Sequence, residues 1–161
     1  MAQGYVFRPM TANDLPLVQR WLALPHVREW WGDPDEQYAL VSGDLNEPAI
    51  DQFIVSASGN SFGYLQCYDL TGWNTGFGPQ PHRTRGIDLF IGEPGMIELG
   101  HGSALIRSFV DDLLVKGLPR VVTDPDPDNG RAVRAYQKAG FEKDRMVDTP
   151  DGPSLLMIRA P

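Results

Sequence analysis

The chain has 161 residues, and its 21 Asp and Glu outnumber its 14 Lys and Arg, for a net charge of −7. A chain of this length can bury a hydrophobic core, and we expect residues 1–161 to form a single domain. The acidic balance disfavours nucleic acid and anionic membranes as partners and suits a cationic small molecule.

Cysteine content and apolar runs exclude further classes of protein. The single cysteine, Cys67, excludes an intrachain disulfide and a multi-cysteine zinc site, and we expect no bound metal. No charged-then-apolar leader opens the sequence, and no apolar run is long enough to cross a bilayer. We therefore expect a cytoplasmic protein without a membrane partner.

The first half of the sequence predicts a strand, helices and a hairpin. "YVFRPM" (5–10) has the pattern of a strand, and "NDLPLVQRWLAL" (13–24) has one apolar helical face that ends at Pro25. "HVREWWGDP" (26–34) predicts a loop with two tryptophans. A short helix over 35–42 and a hairpin of 51–57 with 61–68, turning at "SGN", follow.

The second half alternates strands and helices after a long Gly/Pro-rich loop, residues 69–85. We predict strands over 86–91, 120–123, 141–147 and 153–159, and helices over 100–116 and 129–140. The last two strands pair across "TPDG" (149–152). This order predicts an α/β fold with a mixed central sheet of about seven strands covered by helices.

"GHG" (100–102) lies at the start of a predicted helix, where unpaired backbone N–H groups and the helix dipole favour an anion. A dinucleotide fingerprint would need a third glycine where Leu105 stands, and a Walker loop would need Gly-Lys-Ser/Thr. The pattern most similar to this loop is Gln/Arg-x-x-Gly-x-Gly/Ala, the pyrophosphate loop of coenzyme A-dependent N-acetyltransferases. A helix-packing role for the glycines is an equal alternative on this loop alone.

A second motif, Asn-x-x-Ala-x-x-x-Tyr-x-Lys-x-Gly-Phe at residues 129–141, resembles the cofactor site of the Gcn5-related N-acetyltransferases (GNAT). The order of predicted elements also matches that fold, which implies two splayed central strands and acetyl-CoA as cosubstrate. "VREWWG", "GYLQCY", "RGID", "TDPDPDN" and "TPDGP" further resemble the aminoglycoside 6'-N-acetyltransferases. The N-acetyltransferases of hydroxamate siderophore synthesis share part of this pattern.

Two residues are candidates for the chemistry of acetyl transfer. An alkylammonium titrates roughly between pH 8 and 10, so a base must remove a proton near neutrality. Asp88 places a carboxylate in the mostly apolar strand "RGIDLFI", and the resemblance puts it at the substrate amine; alternatively it bonds a loop amide. The resemblance implies that Tyr136 protonates the leaving thiolate, and a packing role is its alternative.

The resemblance also implies the binding residues. Backbone groups of Phe90 and Ile91 would contact the pantetheine chain. The remaining cofactor-binding residues would be Leu99, Gly100, His101, Gly102, Ser103, Asn129 and Ala132. Trp31, Asp88, Asp124 and Asp151 would bind a cationic substrate, although a capping or turn role for the aspartates and core packing for the tryptophan are alternatives. A substrate lid with Trp73 and Phe77 would lie in residues 69–85.

The predicted function is acetyl transfer from acetyl-CoA to a primary amine, and the leading candidate is the 6'-amine of an aminoglycoside. We expect the enzyme to be a monomer or a homodimer. An enzyme acting on a hydroxylysine-type siderophore precursor is the alternative substrate class. Ile97 replaces the usual Gln or Arg of the loop and Glu98 adds a negative charge, which leaves a non-catalytic coenzyme A sensor as a third hypothesis. The presence of Asp88 and Tyr136 argues against a sensor, and we expect the Glu98 side chain to point to solvent.

Overall fold

The computed structural model describes residues 4–71 and 76–161, which form seven strands and five helices. Three short 3-10 turns, at residues 12–14, 44–46 and 94–96, connect them. The strands are β1 (Tyr5–Pro9), β2 (Ile50–Ala57), β3 (Asn60–Asp69), β4 (Arg85–Ile91), β5 (Val121–Thr123), β6 (Glu142–Thr149) and β7 (Gly152–Arg159). The helices are α1 (Leu15–Leu22), α2 (Pro25–Trp31), α3 (Pro34–Gly43), α4 (His101–Val115) and α5 (Gly130–Lys138).

The seven strands form one sheet in the order β1-β2-β3-β4-β5-β7-β6. β1 pairs with β2, and β7 pairs with both β5 and β6, in antiparallel fashion, whereas β4 and β5 are parallel. The predicted mixed sheet of about seven strands is therefore confirmed. No helix among the described residues is long and apolar enough to cross a membrane.

Backbone packing divides the chain into two compact units, Met1–Cys67 with Leu89–Leu99 and Tyr68–Asp88 with Gly100–Pro161. In the first unit, the apolar faces of α1 to α3 pack with residues of β2, β3 and β4. This core contains Met10, Val18, Trp21, Leu22, Val27, Val41, Ile54, Tyr64 and Phe90. In the second unit, Phe77 packs with Val122, Val147 and Leu156 of the sheet.

The predicted loop over "HVREWWGDP" is wrong, because residues 25–31 form helix α2. Pro25 occupies the first helical position, where its missing N–H is not needed and its fixed φ suits a helix. It ends the preceding helical pattern and also begins α2. Val27 is buried, and Gly32, with a φ of 93°, ends the helix.

The parallel pairing of β4 with β5 is short. It covers Arg85 with Val121 and Gly86 with Val122. At the next position a side chain takes over, since the Thr123 hydroxyl donates to the Ile87 carbonyl oxygen at 3.0 Å. Backbone pairing between β4 and β5 thus ends one residue before Asp88, where a side-chain hydrogen bond replaces it. An early end to this pairing is what the expected splay of the central strands predicts.

Candidate active site

Three aspartates converge in the second unit from three different elements. Asp88 lies in β4, Asp124 follows β5 directly, and Asp151 lies in the tight turn between β6 and β7. Asp88 and Asp124 are half-buried, whereas Asp151 is exposed. The charges of both Asp88 and Asp151 act on Asp124, so the structure brings together the three carboxylates that the sequence nominated for a cationic substrate.

The environment of Asp124 favours its neutral form. Burial, followed by the negative charge of Asp88 and a smaller effect of Asp151, raises its pKa from 3.8 to about 8, against a hydrogen bond with Ser154 that lowers it. Near neutrality Asp124 therefore holds a proton, next to the Asp88 side chain that helps to keep it there. Two neighbouring carboxyl groups in different environments can take different roles at one site.

The proton on Asp124 predicts how stability depends on pH. Because the folded pKa lies above the unfolded value of 3.8, the native state binds more protons than the unfolded state between about pH 4 and 8. The free energy of unfolding therefore falls as pH rises through this window, by about 1.4 kcal/mol for each unit between the two pKa values. We expect the stability of Asp124→Asn relative to the wild type to rise by about 2 to 4 kcal/mol from pH 5 to pH 8 in urea titrations.

Asp128→Asn is the matched control for this prediction, because Asp128 is an exposed carboxylate of the same loop. A relative stability of Asp124→Asn that does not change between pH 5 and pH 8 would contradict the protonated state of Asp124.

Tyr136 lies on α5 and is 6% exposed, with its ring packed edge-on against Phe141 at 5.3 Å between centroids. Burial raises the pKa of its hydroxyl, and the charges of Asp88 and Asp124 raise it further. The hydroxyl therefore keeps its proton at neutral pH, as a proton donor must. The packing role that the sequence left open is real, and it coexists with a position beside the carboxylates.

The hydroxyl of Tyr136 is hydrogen-bonded with Thr123. Thr123 has one hydroxyl proton, which it donates to the Ile87 carbonyl oxygen. Toward Tyr136 it can only accept, so the tyrosine proton points at Thr123 until a stronger acceptor arrives.

The start of α4 has the features of an anion site. Gly100 precedes the helix with a φ of 84°, and a Cβ built on it would meet no atom within 4 Å. The N–H groups of His101, Gly102 and Ser103 stand in the first turn, where an α-helix leaves its donors without intrahelical partners. Gly102 lies inside α4, where glycine lowers helix stability, which favours close approach of a ligand as the reason for its presence.

A 3-10 turn at 94–96 lies between β4, which ends at Ile91 as predicted, and the start of α4. Glu98 is exposed, as predicted, and has a φ of 61°, a left-handed conformation that costs a non-glycine residue roughly 1 kcal/mol. Ile97 is half-buried and Leu99 is 65% exposed, next to Gly100.

Asn129 and Ala132 form the N-terminal cap of α5. The Asn129 side-chain oxygen accepts from the Ala132 N–H at 3.2 Å. This bond gives Asn129 a structural role and leaves its side-chain NH₂ as the group that could contact a ligand. It also explains why Asp124 is not a cap: the cap of α5 lies five residues further along the chain.

Trp31, Phe90 and Ile91 belong to the first unit. The Trp31 ring is half-buried and meets Phe90 edge-on at 5.0 Å, and Phe90 stacks on Tyr64 at 5.5 Å. The Ile91 carbonyl oxygen accepts from His26 Nε2 at 2.9 Å, which fixes the end of β4. The core-packing alternative for Trp31 is therefore partly correct, and only the part of its side chain that stays exposed is available to a ligand.

Sequence reasoning missed Ser154, which bonds Asp124, and Thr123, which connects β4 with Tyr136. Each stands beside a predicted motif, in "VVTDP" and "TPDGPS", and a polar residue flanking a candidate carboxylate is the signal that could have found them. Among the described residues, no group of three or more His, Cys, Asp or Glu side chains is arranged to hold a metal ion.

Known proteins resemble this chain in sequence and in fold. The model of the acetyltransferase (GNAT) domain matches residues 10–149. Aminoglycoside N(6')-acetyltransferase type 1 of Klebsiella pneumoniae is 34% identical over 94% of this chain and 81% of its own length. Among solved structures, AAC(6')-Ib with paromomycin and acetyl-CoA has a TM-score of 0.87 at 32% identity, covering 98% of this chain and 93% of that one. AAC(6')-Ib with coenzyme A and kanamycin has a TM-score of 0.85 at 34% identity, covering 97% and 94%.

Proposed function

Because this chain belongs to the GNAT acetyltransferase family and is related in sequence to aminoglycoside 6'-N-acetyltransferases, we propose that it transfers acetyl from acetyl-CoA to the 6'-amine of an aminoglycoside. The single observation that carries the choice of substrate is the cluster of Asp88, Asp124 and Asp151. Three carboxylates from three elements match a ligand with several ammonium groups, since each opposite charge nearby favours the ionised carboxylate.

In this proposal Asp88 is the base. Its side chain acts on Asp124 through its charge, and it lies where backbone pairing between β4 and β5 has ended. Asp88 first holds the substrate ammonium and then takes its proton, directly or through one water, so that the amine nitrogen can form the new C–N bond. A cationic substrate also lowers the pKa of Asp124 and releases its proton, which adds a second counter-charge.

Tyr136 is the acid for the same reaction. The thioester supplies an activated acetyl group whose C–S bond breaks, and the leaving thiolate needs a proton. The raised pKa of Tyr136 keeps that proton available, and Thr123 holds the hydroxyl until charge develops on sulfur. The ammonium loses one proton to Asp88, which passes it to solvent, and the nitrogen loses a second proton when the amide forms. That second proton restores the Tyr136 hydroxyl, directly or through water, so the products are the N-acetyl amide, coenzyme A and one released proton.

Acetyl-CoA binding is assigned to two groups of residues. We propose that the diphosphate binds at the start of α4, on the backbone of Leu99 to Ser103, because Gly100 leaves open space at the helix end where the dipole favours an anion. On the family resemblance, Phe90 and Ile91 would bind the pantetheine chain through their backbone, and Asn129 and Ala132 would also bind the cofactor. Trp31 is proposed to contact the sugar with the exposed part of its side chain.

Tyr136→Phe is expected to lower kcat by about 100- to 10,000-fold, the usual range for a general acid, and to leave acetyl-CoA affinity within about twofold. The ring and its contact with Phe141 remain, and only the proton donor is lost. Single-turnover kinetics, with acetyl-CoA affinity from calorimetry, measure both effects. If the rate of the chemical step were the same in Tyr136→Phe as in the wild type, Tyr136 would have only a packing role.

The proposed function is tested by thiol release from acetyl-CoA with two classes of acceptor. Kanamycin supplies the 6'-amine, and N5-hydroxyornithine or N6-hydroxylysine supplies the hydroxylamine of a siderophore precursor. We expect release with kanamycin and none with either hydroxylamine. Thiol release with a hydroxylamine acceptor but not with kanamycin would contradict this function and favour the siderophore alternative. Specific acetyl-CoA binding without transfer to any acceptor would favour a sensor.

A further inference from the structure

Within the second unit, a segment of the long loop that precedes β4 is fastened to the sheet. This segment, Gly76–Gln80, contains Phe77, which is 2% exposed and packs with Val122, Val147 and Leu156. The sequence predicted a substrate lid over residues 69–85, of which Trp73 lies outside the described residues. A buried aromatic anchor makes Gly76–Gln80 a fixed part of the fold.

Arg145 on β6 adds hydrogen bonds to the apolar packing of Phe77. Its Nη2 donates to the Phe77 carbonyl oxygen at 2.5 Å, and its Nη1 donates to the Asp144 carboxylate at 2.5 Å. The same carbonyl accepts from Gln80 Nε2 at 3.2 Å, and Gln80 Oε1 accepts from Arg120 at 3.0 Å. Charge-assisted bonds of this kind are the stronger class of hydrogen bond.

The backbone of the segment lies directly against the end of β6. Gly76 has a φ of 76°, and a Cβ built on it would overlap the Asp148 carbonyl oxygen. A Cβ on Gly78 would come within 2.9 Å of Arg145 Nη2. At Gly76 the two backbones are therefore in direct contact, and at Gly78 the Arg145 side chain fills the space between the segment and β6.

The position in contact with Gly76 is the base of the turn that carries Asp151. Asp148 pairs with Pro153, and Thr149 pairs with Gly152, so only Pro150 and Asp151 lie beyond this contact. The Thr149 hydroxyl donates to the Gly152 carbonyl oxygen at 2.8 Å and accepts from the Asp151 N–H at 3.2 Å. Within the turn the backbone of Asp151 is fixed, so the remaining freedom is movement of the hairpin end as a whole.

We propose that Arg145 is a positioning residue for substrate binding: by fastening Gly76–Gln80 to β6, it holds the hairpin end where Asp151 can meet an ammonium group of the substrate. This inference rests on the proposed function, since it gives Asp151 a substrate. Arg145 touches no substrate itself. Its loss should weaken aminoglycoside binding without slowing the acetyl transfer step.

The test is a double-mutant cycle in the full chain, with Arg145→Ala, Asp151→Asn and the combined variant. Arg145→Ala is expected to raise the aminoglycoside KM by about tenfold, in keeping with loss of a charged hydrogen bond, with kcat and the acetyl-CoA KM within about twofold. Asp151→Asn should raise the same KM. In the Asp151→Asn background, Arg145→Ala should have less than about a twofold effect, because the group it positions is gone.

Two control variants separate positioning from general effects. Lys143→Ala removes a cation two residues earlier on the same strand, where Lys143 is exposed, and should leave the KM unchanged. Arg145→Lys keeps the charge but has one donor nitrogen in place of the two that contact Asp144 and Phe77, so its KM should lie between those of the wild type and Arg145→Ala. Thermal unfolding of each variant confirms that it is folded.

An aminoglycoside KM for Arg145→Ala equal to that of the wild type overturns the inference. An equally large effect of Arg145→Ala in both backgrounds also overturns it, since Arg145 would then act without Asp151. Absence of aminoglycoside turnover in the wild type would instead contradict the proposed function, so the two failures are distinguishable.

Discussion

Asp88→Asn is expected to lower kcat for aminoglycoside acetylation by about 100- to 10,000-fold at pH 7. Asparagine keeps the shape of the side chain but can neither accept the ammonium proton nor balance its charge. It also removes the charge that raises the pKa of Asp124, so Asp124 should ionise at lower pH and keep part of the affinity for a cation. The loss should therefore fall more on kcat than on substrate binding.

The pH profile distinguishes a base from a structural aspartate. Raising the pH toward 10 deprotonates the free amine, so the rate of Asp88→Asn should approach that of the wild type as pH rises. Asp128→Asn, an exposed carboxylate after β5, is the control and should match the wild type at every pH. A deficit of Asp88→Asn that is the same at pH 7 and pH 9.5 would show that Asp88 does not act as the base.

Gly102→Val is expected to abolish acetyl-CoA binding in calorimetry, which corresponds to a loss of affinity of at least about 100-fold. A branched side chain in the first turn of α4 would hold the diphosphate away from the N–H groups. Valine is close to glycine or better in a helix interior, so the variant should fold.

Gly95→Val is the matched control. Gly95 lies in the 3-10 turn at 94–96, and a Cβ there would meet no atom within 4 Å. It should bind acetyl-CoA as the wild type does. If Gly102→Val bound acetyl-CoA with wild-type affinity, the proposed diphosphate site at the start of α4 would be contradicted.

Local patterns were sufficient to predict most of the elements. Helical spacing of apolar residues predicted α4, and the glycine after α5, Gly140, has the expected left-handed φ of 99°. The hairpin turn at Ser58 and Gly59 has two positive φ values, as a type I′ turn between strands requires. Helix α2 was missed because Pro25 can both end one helix and begin another, and the pattern alone does not choose between them.

The site was predictable in its residue types but not in its contacts. Asp88, Asp124 and Tyr136 each follow a recognisable motif, yet the protonation of Asp124 depends on burial and on charges from elements far apart in the sequence. The same holds for Arg145: 68 residues separate it from Phe77, and no local pattern in "EKDRMV" indicates that bond. Long-range packing decides these features, and only the folded chain shows them.

The most direct measurement of the proposed 6'-N-acetylation compares neomycin with paromomycin, which differ in carrying an amine or a hydroxyl at the 6' position. Thiol release from acetyl-CoA and the mass of the product are followed for the wild type and for Asp88→Asn. We expect one acetyl group on neomycin, none on paromomycin, and a rate that falls by about 100-fold or more in the variant. Acetylation of paromomycin at a rate similar to that of neomycin would contradict the account.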